Sequence, residues 1–242
     1  MKRFFVAALC CMAALSVNAQ NLQLHYDFGR HIYPQDQTTR QPVTLTFEMF
    51  KADRIGNWFM FIDLDMYADG MKGGYTEISR EFTFANASEK SSFAAHIEYD
   101  GGMTTFKTGG GTRFQNAFLL GPAYNWHSDD FSTTFSVQAM YKQYLRYGNS
   151  NPYASFQLTG VWSTTFAAGK CTFSGFIDFW RGENEAHNGK LVVLTEPQFW
   201  YNAGKHFSVG TEVEISNNFI IAEPGSTKTF FVNPTLALKY NF

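Results

Sequence analysis

The stretch that most constrains this chain is its last, Thr229 to Phe242. Every second residue there is apolar: Phe230, Val232, Pro234, Leu236, Leu238, Tyr240 and Phe242. Between them stand Phe231, Asn233, Thr235, Ala237, Lys239 and Asn241, mostly small or polar. Alternation with period two puts the two sets on opposite faces of one β-strand. In a water-soluble sheet, a greasy terminal strand of that length is an exposed edge of the kind natural proteins avoid. In a membrane-embedded barrel it pairs with the first strand, closes the sheet and removes the edge. The aromatic carboxyl terminus, with apolar residues at alternate positions before it, makes the barrel-assembly machinery the expected partner of this strand. The competing reading is the terminal strand of a soluble β-sandwich.

The amino terminus supports export. Met-Lys-Arg is followed by an apolar run from Phe4 to Val17 and by Val17-Asn18-Ala19 before Gln20. That is the pattern of a cleaved signal peptide over residues 1–19, too short to span a bilayer. Cys10 and Cys11 fall inside it, and neither follows the Gly, Ala or Ser of a lipoprotein site. The expected mature domain, 20–242, keeps only Cys171, so it has no intrachain disulfide and argues against a thiol metal cluster. No cofactor and no metal are expected. Without Lys2 and Arg3 the chain carries 17 basic and 21 acidic residues, a formal charge of −4. Nucleic-acid binding normally needs a basic face, which this balance does not offer. Aromatic residues make up 18%, with 26 Phe, yet no apolar run approaches a transmembrane helix. Strands that meet lipid with alternate residues explain both facts.

Read for parity, the chain gives about twelve such segments, joined alternately by long and short connections. The first, Asn21 to His31, turns Leu22, Leu24, Tyr26 and Phe28 outward. The second turns out Val43 to Met49, the third Trp58 to Met66, and the fourth runs Tyr75 to Phe84 with Arg80 as a fault on its apolar face. The fifth runs Phe93 to Asp100 and the sixth Arg113 to Trp126. Later segments turn out Phe135 to Tyr141, Phe156 to Phe166, Phe173 to Phe179, Leu191 to Tyr201 and Phe207 to Ile215. Glycine-rich Ala68 to Gly74 and Gly101 to Thr112 are expected as loops. Pro122, Pro197 and Pro234 fall inside strands, where bulges are expected. Trp58, Phe84, Phe93, Trp126, Phe131, Phe166, Phe173, Tyr201, Phe207, Tyr240 and Phe242 fall near the short-turn side, as an inner aromatic girdle would. The fold class is therefore all-β, a transmembrane antiparallel β-barrel in the cell outer membrane, surrounded by its lipids.

The same parity sends Asp27, Glu48, Asp63, Asp65, Glu77, Glu81, Glu98, Asp178, Glu196, Glu212 and Glu214 inward, opposed mainly by Arg113, Lys142 and Lys239. An acidic interior repels phosphates and favours neutral or cationic solutes. Phe50, Phe59, Phe61, Phe176, Trp180 and Trp200 are interleaved with the acids. Rings beside carboxylates suit a planar solute, stacked on its face and hydrogen-bonded at its edge. The bland alternative is that a small barrel fills its interior with side chains simply to fold.

Several short stretches resemble a known family. Asn57-Trp58-Phe59-Met60-Phe61-Ile62-Asp63 followed by Tyr75-Thr76-Glu77-Ile78-Ser79-Arg80 resembles the third-to-fourth strand signature of the Tsx-like nucleoside channels. Leu120-Gly121-Pro122, Gly175-Phe176-Ile177-Asp178, Pro197-Gln198, Trp200-Tyr201, Gly210-Thr211-Glu212 and Asn217-Asn218 follow in the family's order. The resemblance implies a twelve-stranded monomeric barrel that passes nucleosides, with solute contacts at Phe59, Phe61, Asp63, Glu77, Asp178 and Glu212. The lumen pattern adds Trp180 and Glu196. The chain departs from the family at Glu81 after Arg80 and in its ending Leu-Lys-Tyr-Asn-Phe. Two other classes compete. A barrel enzyme would need a nucleophile and base together at the lipid boundary. By parity His25, His96 and His206 face inward, and His127 and His187 lie in connections, so no catalytic residues are assigned. A structural, plugged barrel without transport is the remaining alternative.

Overall fold

The computed structural model of the chain describes residues 18–68, 70–105, 110–148, 151–182 and 190–242. The expected leader lies outside the described residues, except that Asn18 and Ala19 begin the first strand, and His187 lies outside them too. In chain order the strands are β1 (Asn18–Asp27), β2 (Val43–Asp53), β3 (Gly56–Tyr67), β4 (Gly70–Ser88), β5 (Ser91–Thr105), β6 (Gly111–Arg113) and β7 (Ala117–His127). They continue as β8 (Thr133–Tyr144), β9 (Tyr153–Phe166), β10 (Cys171–Arg181), β11 (Leu191–Thr195), β12 (Gln198–Asn202), β13 (Phe207–Asn217) and β14 (Phe230–Asn241). One short helix, α1 (Gly29–Ile32), follows β1. No helix among the described residues is long and apolar enough to cross a membrane.

All pairings are antiparallel, most of them between neighbours in the chain, and β14 returns to β1 with Leu238 opposite Leu24. Both β6 and β7 lie on β5, as two pieces of one barrel strand. Likewise β11 and β12 together fill the place between β10 and β13. Fourteen segments thus make a closed barrel of twelve strands. Closure satisfies every strand's backbone within the protein, as a bilayer core requires.

The faces follow the alternation. Leu236 and Leu238 are each 58% exposed, whereas Gln23, His25 and Asn233 on the opposite parity are at most 3% exposed. Apolar outside and polar inside is the inverse of a soluble core and needs hydrocarbon around it. The protein is an outer-membrane barrel. Ten of the eleven girdle aromatics are exposed, and Trp126 is half-buried.

The structure corrects several details. Strand β1 stops at Asp27, and His31 lies in α1, where its Nε2 is 3.0 Å from Tyr26 Oη. The stretch Ala68 to Gly74 is mostly strand, because β4 starts at Gly70 and Gly73 and Gly74 pair on both sides. The expected loop Gly101 to Thr112 is partly strand, since β5 runs on to Thr105 and β6 starts at Gly111. None of the three prolines makes a bulge. Pro122 stands opposite Ala95, and Pro234 opposite Val213, in continuous register. Pro197 interrupts the ladder, but Thr195 and Gln198 keep one register against β10. Each residue of an antiparallel strand donates to one neighbour only, so a proline removes a single bond. Gly175 makes the room at Pro197: its φ is +152°, and a Cβ there would stand 2.9 Å from the proline Cα. The irregularities fall instead at Asp65/Met66, Thr83/Ala85 and Asn86/Ser88.

Two basic residues are also relocated or explained. Arg113 lies opposite Met103, while Phe118 lies opposite Tyr99, so one extra residue enters the strand across Phe114–Asn116. A one-residue slip reverses side-chain parity. It turns Arg113 to the outer face, over the Tyr147 ring at 5.5 Å, and removes it from the lumen. Arg80 does sit on the outer face. It survives there by reaching the short-turn side, where Nη2 donates to Asp53 Oδ1 at 2.8 Å and the guanidinium lies 5.1 Å from the Trp58 ring.

Candidate functional site

The barrel gathers the inward carboxylates into groups that differ in their partners. Toward the short-turn side, Glu81 accepts from Asn57 (3.0 Å), Asn125 (2.7 Å) and Gln138 (3.3 Å). His96 bridges it to Glu98, with Nδ1 3.2 Å from Glu81 Oε1 and Nε2 3.0 Å from Glu98 Oε2. Next along β4 and β5, carboxylate oxygens of Glu77, Glu98 and Asp100 lie within 4.8 Å of one another. That trio could hold a cation, but a protein cation already meets it: Lys142 Nζ donates to Asp100 Oδ2 at 2.9 Å and to Gln157 Oε1 at 2.8 Å. The chain continues from Gln157 Nε2 to Thr159 Oγ1 (3.1 Å) and from the Thr159 hydroxyl to Asp178. Buried charges survive only when paired and hydrogen-bonded in this way.

Trp180 closes this region rather than opening it. It is 8% exposed and packs with Leu119, Met140, Tyr144, Val192 and Leu194. Lys142 lies over its ring at 5.5 Å, and Phe219 meets it edge-on at 5.9 Å. The expected stacking face is therefore occupied. The inward apolar cluster has a sequence signal in the parity of Ala117, Leu119, Val192 and Leu194.

The opposite wall is less tied. Thr46 Oγ1 donates to Asp63 Oδ1 at 2.5 Å, and Gln198 Nε2 to Glu212 Oε2 at 2.6 Å. His25 Nδ1 is 3.7 Å from Glu212 Oε1, and the same His25 bonds to Gln23 at 2.9 Å. Glu196 lies within Coulombic range of Glu212, Glu214 and Asp63. Among the described residues its carboxylate makes no hydrogen bond or ion pair. Lys239, expected to pair with the acids, lies 3.9 Å over the Trp200 ring instead. Trp200 is itself 1% exposed and donates Nε1 to Gln198 Oε1 at 2.9 Å.

Between the walls runs a ladder of rings. Phe59 and Phe61 are 6.1 Å apart, Phe61 and Tyr75 5.9 Å, Tyr75 and Phe114 6.2 Å. Carboxylates flank it in register: Glu77 opposite Phe61, and Asp63 opposite Tyr75, whose hydroxyl donates to Glu77 Oε1 at 2.9 Å. Of the eight expected contacts, Phe59, Phe61 and Glu77 come together on β3 and β4. Asp63, Glu196 and Glu212 form the less-tied wall, and Asp178 with Trp180 sits in the Lys142 network. His206, expected inward, stacks on outward Tyr240 at 5.6 Å.

Two lumen residues escaped the sequence reading. Asp100 ends the parity of β5 and could have been found beside Glu98. Arg40 has no periodic signal, because it stands in the connection between β1 and β2. Its guanidinium nonetheless binds Asp27 Oδ2 at 2.8 Å and Glu214 Oε2 at 3.1 Å.

A closed twelve-strand barrel with a lipid-facing exterior and a polar, acidic interior is an outer-membrane β-barrel protein. The chain belongs to the family described as "Domain of unknown function (DUF5020)", which matches residues 19–242. Two solved structures have the same fold. One, titled "KdgM porin", is 10% identical and covers 93% of this chain and 99% of that one, with a TM-score of 0.53. The other is titled as a NanC porin in a rhombohedral crystal form. It is 8% identical, covering 93% of this chain and 100% of that one, with a TM-score of 0.59. No curated protein sequence matches.

Proposed function

We propose that this barrel is a passive outer-membrane channel for small planar solutes, neutral or cationic, with nucleosides as the leading class. The observation that carries the reading is the ring ladder from Phe59 to Phe114, flanked by Asp63 and Glu77. A base would stack on Phe59 and Phe61, and Asp63, Glu196 and Glu212 would accept hydrogen bonds from sugar hydroxyls or exocyclic amines. Such contacts must be weak and several, because a channel that holds its solute tightly stops conducting. Diffusion down a gradient needs no cofactor and no catalytic residue. The chain would be exported by its leader, inserted through its C-terminal strand and work as a monomer.

The test is liposome swelling with nucleosides against sugars of similar size, repeated with Phe61→Ala. Losing one stacking ring should weaken solute binding by about 1–3 kcal/mol, taking base–aromatic stacking as the guide. Unchanged nucleoside flux in folded Phe61→Ala protein removes the proposed site. The second reading, a structural barrel with a filled lumen, draws on the Trp180 cluster. It predicts no flux of any solute through reconstituted wild-type protein.

A further inference from the structure

The connection between β1 and β2 does not stand away from the barrel. Residues 33–40 contact side chains that the register turns inward. Gln37 Nε2 donates to Asn233 Oδ1 at 2.9 Å, and the Tyr33 ring meets Phe231 edge-on at 5.1 Å. Phe231 and Asn233 are each 0% exposed, so this segment covers the inner face of β14. Its far end is tied by Arg40. The guanidinium donates to Asp27 from Nε (3.1 Å) and Nη2 (2.8 Å), and to both oxygens of Glu214 (3.3 and 3.1 Å). Asn233 Nδ2 also donates to Glu214, at 2.8 Å. The last long connection holds the strap from above: Lys228 Nζ is 3.0 Å from Asp36 Oδ2 and 4.6 Å from the Tyr33 ring.

We propose that residues 33–40 form the entrance constriction of the lumen, and that Arg40 sets which charges pass it. The inference deepens the channel reading and rests on it for the presence of a pore. Arg40 spans β1 and β13, keeps 21% of its side chain exposed, and also acts electrostatically on Asp65 and Glu196. It is a fixed cation set among carboxylates, at the level a solute must cross first. Its two roles are separable. As an anchor it holds the strap in the mouth. As a charge it offsets the acids that would otherwise draw cations in. A guanidinium suits both, because its planar fork binds two carboxylates at once.

The experiment is single-channel recording in planar bilayers under a potassium chloride gradient, with no nucleoside present. Arg40→Gln should raise conductance and raise the cation-to-anion permeability ratio by about sixfold, because one charge about 8 Å from an ion in water-like surroundings changes each ion's permeability by about 2.4-fold and in opposite directions. Arg40→Lys should keep the charge and lose the fork, giving raised conductance with near wild-type selectivity. Arg40→Gln leaves Asp27 and Glu214 unpaired, so the triple variant Asp27→Asn, Arg40→Gln, Glu214→Gln is the companion. It should conduct more than wild type without the gain in cation preference. A silent wild type beside a conducting variant would also support the strap as the barrier. Folded variants with wild-type conductance and selectivity, or variants as silent as a silent wild type, overturn it. Failure of the nucleoside reading shows separately, as absent nucleoside swelling in protein that conducts salt.

Discussion

The wall built from β5, β8, β9 and β10 and the wall built from β3, β12 and β13 are both lined with carboxylates. The first meets them with basic side chains: His96 stands between Glu81 and Glu98, and Lys142 binds Asp100 and starts a hydrogen-bond chain through Gln157 and Thr159 to Asp178. The second gives Asp63 a threonine hydroxyl and Glu212 a glutamine amide, and gives Glu196 no side-chain bond among the described residues. One residue type therefore does two jobs. Where the partner is a buried protein cation, the carboxylate is part of the folded structure. Where the partner is neutral or missing, its acceptor capacity is left for whatever enters. On that ground Asp100 belongs with the structural wall, and Asp63, Glu196 and Glu212 with the less-tied one. Among the described residues Asp178 accepts only from the neutral Thr159 hydroxyl; it joins the structural wall through the chain Thr159–Gln157–Lys142, and Trp180 joins it by packing.

The largest expected effect separates the walls by stability. Lys142→Ala leaves Asp100, 5% exposed, without its cation. Breaking a buried pair from one side costs about 3–5 kcal/mol. Glu196→Gln breaks no bond and should cost almost nothing. Urea midpoints of the heat-modifiable folded band measure both. Equal midpoints for the two variants would end the distinction.

A smaller effect tests the inside–outside assignment on which both walls depend. On β10, Ile177 faces lipid and Asp178 faces the network. An arginine at mid-depth on the lipid face costs about 2–4 kcal/mol. Ile177→Arg should therefore lose far more stability than Asp178→Asn, which keeps a partner for Thr159. If the two lose equally in lipid vesicles, the parity of β10 has been misread.

The barrel itself was legible because alternation is a local property that a single strand displays in full. Leu236 to Phe242 alone implies a lipid face, and the twelve-strand count follows from repeating that reading. The errors fall where local pattern and tertiary setting part. The parity of Arg113 fails because one extra residue enters between β6 and β7, and sequence alone does not mark it. Pro122 and Pro234 made no bulges because an antiparallel strand gives up only one bond per proline. In the lumen, parity put the carboxylates on the correct face, but it carries no information on what stands opposite across the barrel. Lys142 with Asp100, and Arg40 with Glu214, are partnerships of distant strands and a folded-in connection. No spacing rule reaches them.

A third prediction probes the less-tied wall directly. Recorded at a pH high enough to ionise the Glu196 carboxyl, Glu196→Gln should lower the cation-to-anion permeability ratio by about sixfold, by the same one-charge argument. Asp178→Asn, inside the hydrogen-bond chain, should leave the ratio unchanged. The reverse ranking in bilayer recordings would exchange the roles given to the two walls.

The smallest effect lies outside the membrane and shows what neutral donors alone do to a carboxylate. In the turn between β7 and β8, Ser128 Oγ donates to Asp130 Oδ1 at 2.7 Å, and the Ser132 N–H donates to it at 3.0 Å. These bonds, the serine hydroxyl first, hold the Asp130 carboxyl down at about 2, below its ordinary 3.8. A folded-state value below the unfolded one means that the bonds favour the ionised turn. Their contribution is complete above 3.8 and is lost as pH falls from 3.8 to about 2. Carbon-detected titration of the side-chain carboxyl should place the wild-type midpoint near the lower value, and Ser128→Ala should move it up toward 3.8. An unmoved midpoint would mean that hydroxyl donors count for little here. The same donors on Asp63 would then give no reason to set the second wall apart from a bare carboxylate surface.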